Sequence, residues 1–484
     1  MLNSPSNLTN RLAETMRTNI IYRGVVILCF LLLGMTHIGL SMQQDTTRLS
    51  VNEFINLALE RAPLMNVRQQ DVNLAQNRLD QARAQRILPR IELTTAHGLV
   101  PGVVSSNPEL YSDRMLYLDP NLDNDWENWG IFTRAEISAI QPVYTWGAIR
   151  NALQAAQAGV QVAQAGFEAE KAEYTLQLYE LYYSMLLVVE LERLIENAGE
   201  DLATAERELE YMLEEGNTDI QESDMFELQI FKFEFQTQVD EVAESKRFLT
   251  GAWNLALGVH NEDSTMYLPA EEFLDPLEYR ISDLSYYEQT ALANRPELRQ
   301  VENTRLAAQY GLEIARAANY PTVIMAFSAA LARTPNRPRQ ANPFIRNSTN
   351  YENIVYGIGL RQNLNFRVNR ENINRSAYQL RQADYALDAV SQGIRLEIRE
   401  QYRSMMMSFS RLTNTKEALN VSNEWLRMEQ IDYDLGFGDV EKLIDAVKST
   451  LELEVELRQR IYDFNVTVGK LNKASGLPVM PVVN

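Results

Sequence analysis

The chain is nearly devoid of the residues on which most site chemistry is built. Its 484 residues include one cysteine and three histidines. The cysteine, Cys29, lies inside an apolar run near the N-terminus. A chain cleaved beyond that run has no thiol and forms no disulfide, so cysteine usage says nothing about redox compartment. His97 stands in a strand-like stretch and His260 in a polar one, both read as structural or solvated rather than as ligands. There is no G-x-S-x-G, no H-E-x-x-H, no P-loop and no Cys/His cluster. Catalysis, cofactor binding and a metal centre therefore have no sequence support. Positive charge is also short: 45 Lys and Arg against 65 Asp and Glu give a net −20, which disfavours nucleic acid as a partner. Beyond residue 41 no segment is apolar enough for a transmembrane helix.

Proline is absent from two long tracts. None occurs between Pro142 and Pro269, or between Pro343 and Pro478. Both tracts are rich in Ala, Leu, Glu, Gln and Arg, the better helix formers. In the first, Leu191, Ile195, Ala198, Leu202, Ala205, Leu209 and Met212 keep a 4,3 spacing, the heptad mark of helices wound on each other. In the second, Ala418, Val421, Trp425, Met428 and Leu435 keep the same register, interrupted by Asp432. Each tract is broken once, at LEEGNTDIQE (213–222) and at DLGFGDVEKL (434–443). Gly216 and Gly436 are helix stops there, and Asp219 and Asp439 are helix starts. Each tract is therefore expected to be a helical hairpin. The first arm, from Trp146 to about Glu215, has 70 residues. At 1.5 Å per residue it would be about 105 Å long, more than any globular core needs.

What the chain does have, it has twice. ARAQRILPRIEL (82–93) and ARAANYPTVIMA (315–326) each run from a small-residue helix through a proline into a strand-like string. Pro63 matches Pro296; Tyr182, Ser184 and Met185 match Tyr402, Ser404 and Met405; Asn254 and Gly258 match Asn472 and Gly476. The unit is helix, strand pair, long hairpin, repeated in tandem over 42–258 and 292–476, with a connector at 259–291 and a tail at 477–484. At the front, Arg17 and Arg23 precede the apolar stretch Gly24 to Leu40, with Gly39 and Ser41 at the small-residue positions of a cleavage site. Residues 1–41 are read as a secretory signal.

Strands are expected at about 90–100, 131–141, 322–332 and 354–365. Each alternates, with Ile91, Leu93 and Leu99, or Val323, Met325 and Phe327, on one face. About ten residues is the span of a tilted transmembrane strand. Tyr144, Trp146 and Tyr320 fall at the helix end of these strands; Trp126, Trp129, Phe132 and Tyr356 are placed at the loop end, as two interfacial girdles would be. The loops beyond are long and polar, acidic over 103–130 and basic over 334–353. Four strands cannot close a barrel, and lipid does not tolerate an open edge. Three copies would supply twelve strands. The fold class expected is thus mainly α with a small β part: a tandem-repeat protomer of a trimeric α-helical barrel joined to a 12-stranded transmembrane β-barrel. A periplasmic coiled-coil scaffold or adaptor with a soluble sheet is the other reading of the same pattern.

In this arrangement the chain resembles the TolC-type outer-membrane efflux family. The tandem repeat, the entries LPRIEL and YPTVIM, the stretch QPVYTWGAIR (141–150) and the two hairpin turns carry the resemblance over essentially the whole chain after the signal. It implies a homotrimer in outer-membrane lipid with a long periplasmic extension, in a Gram-negative cell. It also implies a passive exit duct, not an enzyme, with no cofactor, that docks to a periplasmic adaptor (membrane fusion protein) and an inner-membrane pump in an efflux or type I secretion system. Residues 259–291 and the tail after Gly476 would form an equatorial belt. The hairpin tips, at Gly216, Asp219, Gly436, Gly438 and Asp439, would meet the adaptor. Acidic residues after the second turn would narrow the periplasmic mouth. Asp445 occupies one such position, Lys442 stands where another acid is common, Tyr433 matches a latching tyrosine, and Glu222 can offer an acidic partner.

Overall fold

The computed structural model describes residues 46–105, 122–214, 222–259, 266–337, 349–435 and 440–480. The hairpin tips Gly216, Asp219, Gly436, Gly438 and Asp439 lie outside the described residues, as do most of the two long loops and the segment 1–41 expected to be a signal. The elements in order are β1 (Thr46–Leu49), α1 (Val51–Arg61), α2 (Pro63–Ile87), β2 (Arg90–Ser105), β3 (Leu122–Tyr144), α3 (Ala148–Glu214), α4 (Glu222–Ala256), β4 (Met266–Pro269), α5 (Leu284–Asn294), α6 (Pro296–Ala317), β5 (Thr322–Arg333), β6 (Tyr351–Arg361), α7 (Phe366–Asp434) and α8 (Val440–Ala474).

Local chemistry sets the boundaries. Ser50 caps α1 in a capping box with Glu53. Pro63 and Pro296 each open a helix, where a missing N–H costs nothing. Leu88, ahead of Pro89, is extended at φ −96° and ψ 134°, because the proline ring excludes the helical region for its predecessor. Gly258 and Gly476 close the two return helices at φ +63° and +68°, left-handed turns that a side chain would strain.

The long arms α3 and α7 have 67 and 69 residues, about 100 Å each. Below the level of α1 and α5 the helices lie in the order α4, α3, α8, α7; above it the order is α2, α3, α6, α7. The four-stranded sheet is antiparallel in the order β2-β3-β5-β6, so β2 and β6 are open edges. β1 and β4 form a separate parallel pair that ties the start of the chain to the connector.

The core is a belt at mid-height. Phe54, Tyr179, Tyr182, Trp253, Tyr287, Ile398 and Met405 are fully buried there. Trp253 stacks on Phe54 at 3.9 Å between centroids. The tyrosines keep their hydroxyls satisfied: Tyr179 donates to the Asn465 carbonyl and Tyr182 to that of Leu49.

Some elements differ from the sequence expectation. β2 and β3 run on to Ser105 and from Leu122, because alternation continues past a register shift at Pro101/Gly102. β6 occupies Tyr351–Arg361 rather than 354–365. The second heptad stripe is also displaced. Leu412, Thr415 and Ser422 are buried against α8, while Val421, Met428 and Leu435 are exposed. The two stripes share a heptad spacing and lie one position apart around α7. The buried one is disguised by its hydroxyls, of which Ser422 is satisfied from α8: Ser422 Oγ meets Thr450 Oγ1 at 2.9 Å. On α3 the expected seam holds where described, with Leu191 and Ile195 buried.

Candidate functional site

The sheet has one apolar face, and none of the described residues covers it. Cross-strand pairing brings Leu93, Ile137, Ala329 and Ile354 into one row and Ile91, Ala139, Phe327 and Tyr356 into the next. Met325 and Ile358 follow, then Tyr144, Val323 and Leu360. Leu93 is 66% exposed, Ile354 71% and Ile358 78%. From the Leu360 row to the Ala135–Leu331 row is eight residues of strand, about 27 Å. The opposite face carries Glu92, Ser138 and Ser328 in one row, then Thr94, Glu136 and Asn353, then Ala96 and Arg134. Arg134 pairs with Glu136 at 2.8 Å, and Arg90 with Glu92 at 2.6 Å. A soluble sheet buries its apolar face and wets the polar one; here both faces are exposed in the isolated chain, and the apolar one is continuous.

At the helix end, Tyr144, Trp146 and Tyr320 form one cluster. Trp146 lies 5.1 Å from Tyr144 and stacks on Tyr320 at 4.9 Å. Its indole N–H donates to the Pro321 carbonyl at 2.9 Å. Trp146 pays for this with a left-handed backbone, φ 55°, the only non-glycine of that kind among the described residues. At the loop end, Trp126 and Trp129 sit 6.0 Å apart. The expectation that Phe132 and Tyr356 join them fails. Tyr356 pairs with Phe327 in mid-sheet, and Phe132 pairs with Gly98 on the polar face. A one-residue count along a strand flips the face, and pairing offset cannot be read without the partner strand.

The loops meet above the sheet. Arg337 donates to the Pro101 carbonyl at 2.9 Å, and Asn336 to that of Asn128 at 2.8 Å. A Cβ on Gly130 would sit 2.0 Å from Asn336 Oδ1, so this docking requires the glycine.

Toward the tips, the two hairpins are joined by a small apolar cluster. Leu228 and Val440 are buried, and Leu202, Met225, Tyr433 and Ile444 pack on them. Tyr433 therefore lies at the contact between hairpins. Glu222 is the first residue of α4; its side chain lies outside the described set. Lys442 and Asp445 are exposed on α8, one turn apart. Asp445 is followed one turn later by Lys448, whose ammonium pairs with Glu234 on α4 at 3.1 Å. That hydrogen bond, reinforced by the charges of Glu234, Glu452 and Asp445, raises the Lys448 pKa.

Pattern reading missed this seam. Lys448 is the lowest of four α8 cations that reach acids of the first hairpin. Arg458 meets Glu190 at 3.4 Å, Lys470 meets Glu180 at 3.0 Å and Lys473 meets Glu173 at 2.7 Å. The signal was present as basic residues spaced 10, 12 and 3 positions apart along α8, but their partners sit more than 200 residues away. Arg295 was missed too. It is 5% exposed, bridges Glu297 and Glu397 at 2.8 Å each, and donates to the Ala474 carbonyl at 3.0 Å. Burial pushes the Glu297 pKa up, but Arg295 beside it and Lys473 outweigh that and hold it below the usual range.

The outermost helices carry uncovered apolar residues. On α4 these are Phe226, Ile230, Phe233, Phe248 and Leu255; on α7, Tyr378, Tyr385, Leu396, Val421 and Met428. No group of His, Cys, Asp or Glu suited to a metal ion occurs among the described residues. No described helix is long and apolar enough to cross a membrane.

The sequence pattern of the "Outer membrane efflux protein" family matches residues 288–476. No curated protein matches the chain. Solved structures match over most of its length. The outer-membrane channel OprN superposes with a TM-score of 0.69 at 15% identity, covering 89% of this chain and 91% of that one. The open-state MtrE outer membrane channel of Neisseria gonorrhoeae gives 0.69 at 15%, covering 92% and 96%. The CmeC outer membrane channel of Campylobacter jejuni gives 0.67 at 14%, covering 88% and 85%. Residues 288–476 thus match the sequence pattern of the outer membrane efflux protein family, and the chain as a whole shares the fold of these solved outer-membrane channels.

Proposed function

We propose that the chain is one third of an outer-membrane exit duct, which conducts cargo passively and performs no chemistry on it. The observation that carries this is the sheet: a continuous exposed apolar face about as tall as a bilayer core, a polar face behind it, and two unpaired edges. Lipid can cover the first, water the second, and only neighbouring copies the third. Three chains would close twelve strands, with β6 of one against β2 of the next. The same closure sets α4 and α7 of adjacent chains together and covers the apolar residues left on those edges, completing a helical tunnel in the periplasm.

The tunnel mouth follows. Tyr433, in the apolar contact between hairpins, acts as a latch, with Glu222 its acidic partner from the first hairpin. Asp445 narrows the mouth, and Lys442 and Lys448 offset its field. The tips at Gly216, Asp219, Gly436, Gly438 and Asp439 receive a periplasmic adaptor, which links the duct to an inner-membrane pump.

The test is a planar bilayer. Purified protein should insert and conduct, and Phe327→Arg should abolish insertion while Ser328→Arg should not. A cation on the lipid face at mid-strand costs about 2–4 kcal/mol, whereas the other face is wet. Equal loss for both substitutions, or a protein that stays soluble without detergent, contradicts the duct and favours a periplasmic scaffold.

A further inference from the structure

The chain's charge reverses sign at one level of the fold. Four segments cross between helix and sheet: residues 80–90, 144–150, 313–322 and 361–370. Together they hold eight arginines, no lysine and two acids, Asp80 and Glu313, in a protein of net −20. The two acids are already engaged, Asp80 with Arg83 at 3.0 Å and Glu313 with Arg316 at 2.7 Å. Arg90 is held by Glu92 on the polar face. Arg86, Arg150, Arg367 and Arg370 are exposed and have no ion pair among the described residues.

Helix stability does not explain them. α3 and α7 begin at this level, and neither has an acidic residue in its first turn. A helix N-terminus carries partial positive charge and favours anions, so Arg150, Arg367 and Arg370 stand against the dipole. Cations placed there raise the local potential unless an anion from outside neutralises it. The same level carries the Tyr144–Trp146–Tyr320 cluster on the apolar side of the sheet, where the rings can lie at a bilayer interface. The Arg86 carbonyl accepts from Gln141, which shares the apolar-face row of Met325 and Ile358, so the backbone at Arg86 runs on the same side as those rings.

We infer that this collar is a binding surface for anionic phospholipid headgroups on the tunnel side of the membrane. The arginines contact headgroup phosphates through their planar forks, and the aromatic cluster fixes the depth. This rests on the sheet spanning a bilayer. The collar then does more than anchor: it fixes how far the tunnel projects from the membrane.

The experiment reconstitutes the full-length protein into vesicles of phosphatidylcholine alone and of phosphatidylcholine with about one third phosphatidylglycerol, and counts lipids retained after extraction by native mass spectrometry. The wild type should retain phosphatidylglycerol over phosphatidylcholine at about ten times their ratio in the vesicle, since each basic residue near an anionic surface adds substantially to attraction. The variant Arg86→Gln, Arg150→Gln, Arg367→Gln, Arg370→Gln should insert equally well and lose that enrichment. A control, Arg403→Gln with Arg411→Gln on the middle of α7, should keep it. Equal retention of both lipids by the wild type, or enrichment that survives the fourfold variant, overturns the inference. If inorganic phosphate displaces the lipid at matched concentration, the collar binds a free anion and the lipid assignment is wrong. Failure to insert into either vesicle would overturn the duct reading itself, a different result from insertion without enrichment.

Discussion

The two hairpins share a fold and differ in charge. The first, α3 and α4, carries 20 acidic and 7 basic side chains, a net −13; the second, α7 and α8, carries 16 of each. Most of the chain's negative charge thus resides in one repeat. The difference shows what each must hold. The second supplies cations to a seam whose acids come from the first, at Glu173, Glu180, Glu190 and Glu234. A duplicated unit that contacts its own copy gains charge complementarity when the two copies diverge. Charge is the cheapest property to change, because exposed helix positions tolerate it.

The sharpest test of that asymmetry is at the belt. Arg61 and Arg295 lie two residues and one residue ahead of the matched prolines Pro63 and Pro296: Arg61 donates to the Leu257 carbonyl at 2.7 Å, and Arg295 to that of Ala474. Arg295 alone is buried and holds two carboxylates. Arg295→Met should cost about 3–5 kcal/mol, because it strands Glu297 and Glu397; Arg61→Met should cost about 1 kcal/mol or less. Thermal unfolding in detergent separates them, and equal shifts would break the comparison. The belt also has a pH signature. The folded pKa of Glu297 lies below its unfolded value, so its contribution is present above about pH 4.3 and is lost as pH falls through the folded pKa. Arg295→Met should flatten acid unfolding in that window.

Next are two cognate glycines. A Cβ on Gly469 would lie 2.7 Å from the ring of Tyr179, which is buried and hydrogen-bonded, whereas one on Gly251 meets nothing within 4 Å. Gly469→Ala should destabilise by about 1–3 kcal/mol through overpacking. Gly251→Ala should stabilise by up to about 1 kcal/mol through helix propensity. Effects of the same sign would mean that the hairpins are packed alike.

How much of this was legible in sequence depended on where the partner lay. The long helical arms, strand faces and Pro-marked crossings follow from spacings within about ten residues, and the repeat from writing them twice. Asn254 and Asn472 match in sequence, but only Asn472 is buried, bonded to Tyr279 at 2.8 Å; the belt decides that, not the motif. The true α7 stripe was hidden because Thr415 and Ser422 do not look like core, and the Thr450 hydroxyl that Ser422 meets lies on another helix. The mouth residues were named by resemblance, and of these Tyr433 lies between the hairpins while Asp445 carries a lysine on either side.

The smaller effects concern that mouth. Tyr433→Phe with Glu222→Gln should loosen the contact between hairpins and raise single-channel conductance. Asp445→Ala should leave conductance nearly unchanged and weaken block by multivalent cations from the periplasmic side; loss of block in Asp439→Ala instead would move the ring to the turn. Smallest is Lys448→Met. Its pair with Glu234 is exposed, so the substitution should shift the unfolding temperature slightly at low salt and not at high salt. A shift that persists at high salt would mean that Lys448 acts through packing on Phe231, 5.8 Å from its ammonium.

All of this presumes that the open edges of the sheet are closed by copies of the same chain. Native mass spectrometry of the detergent-extracted protein tests that directly. The account requires an assembly of three chains, which dissociates to chains near the 55.4 kDa sequence mass less any cleaved signal. A stable monomer free of detergent would contradict it, because its apolar sheet face and both strand edges would then stand in water.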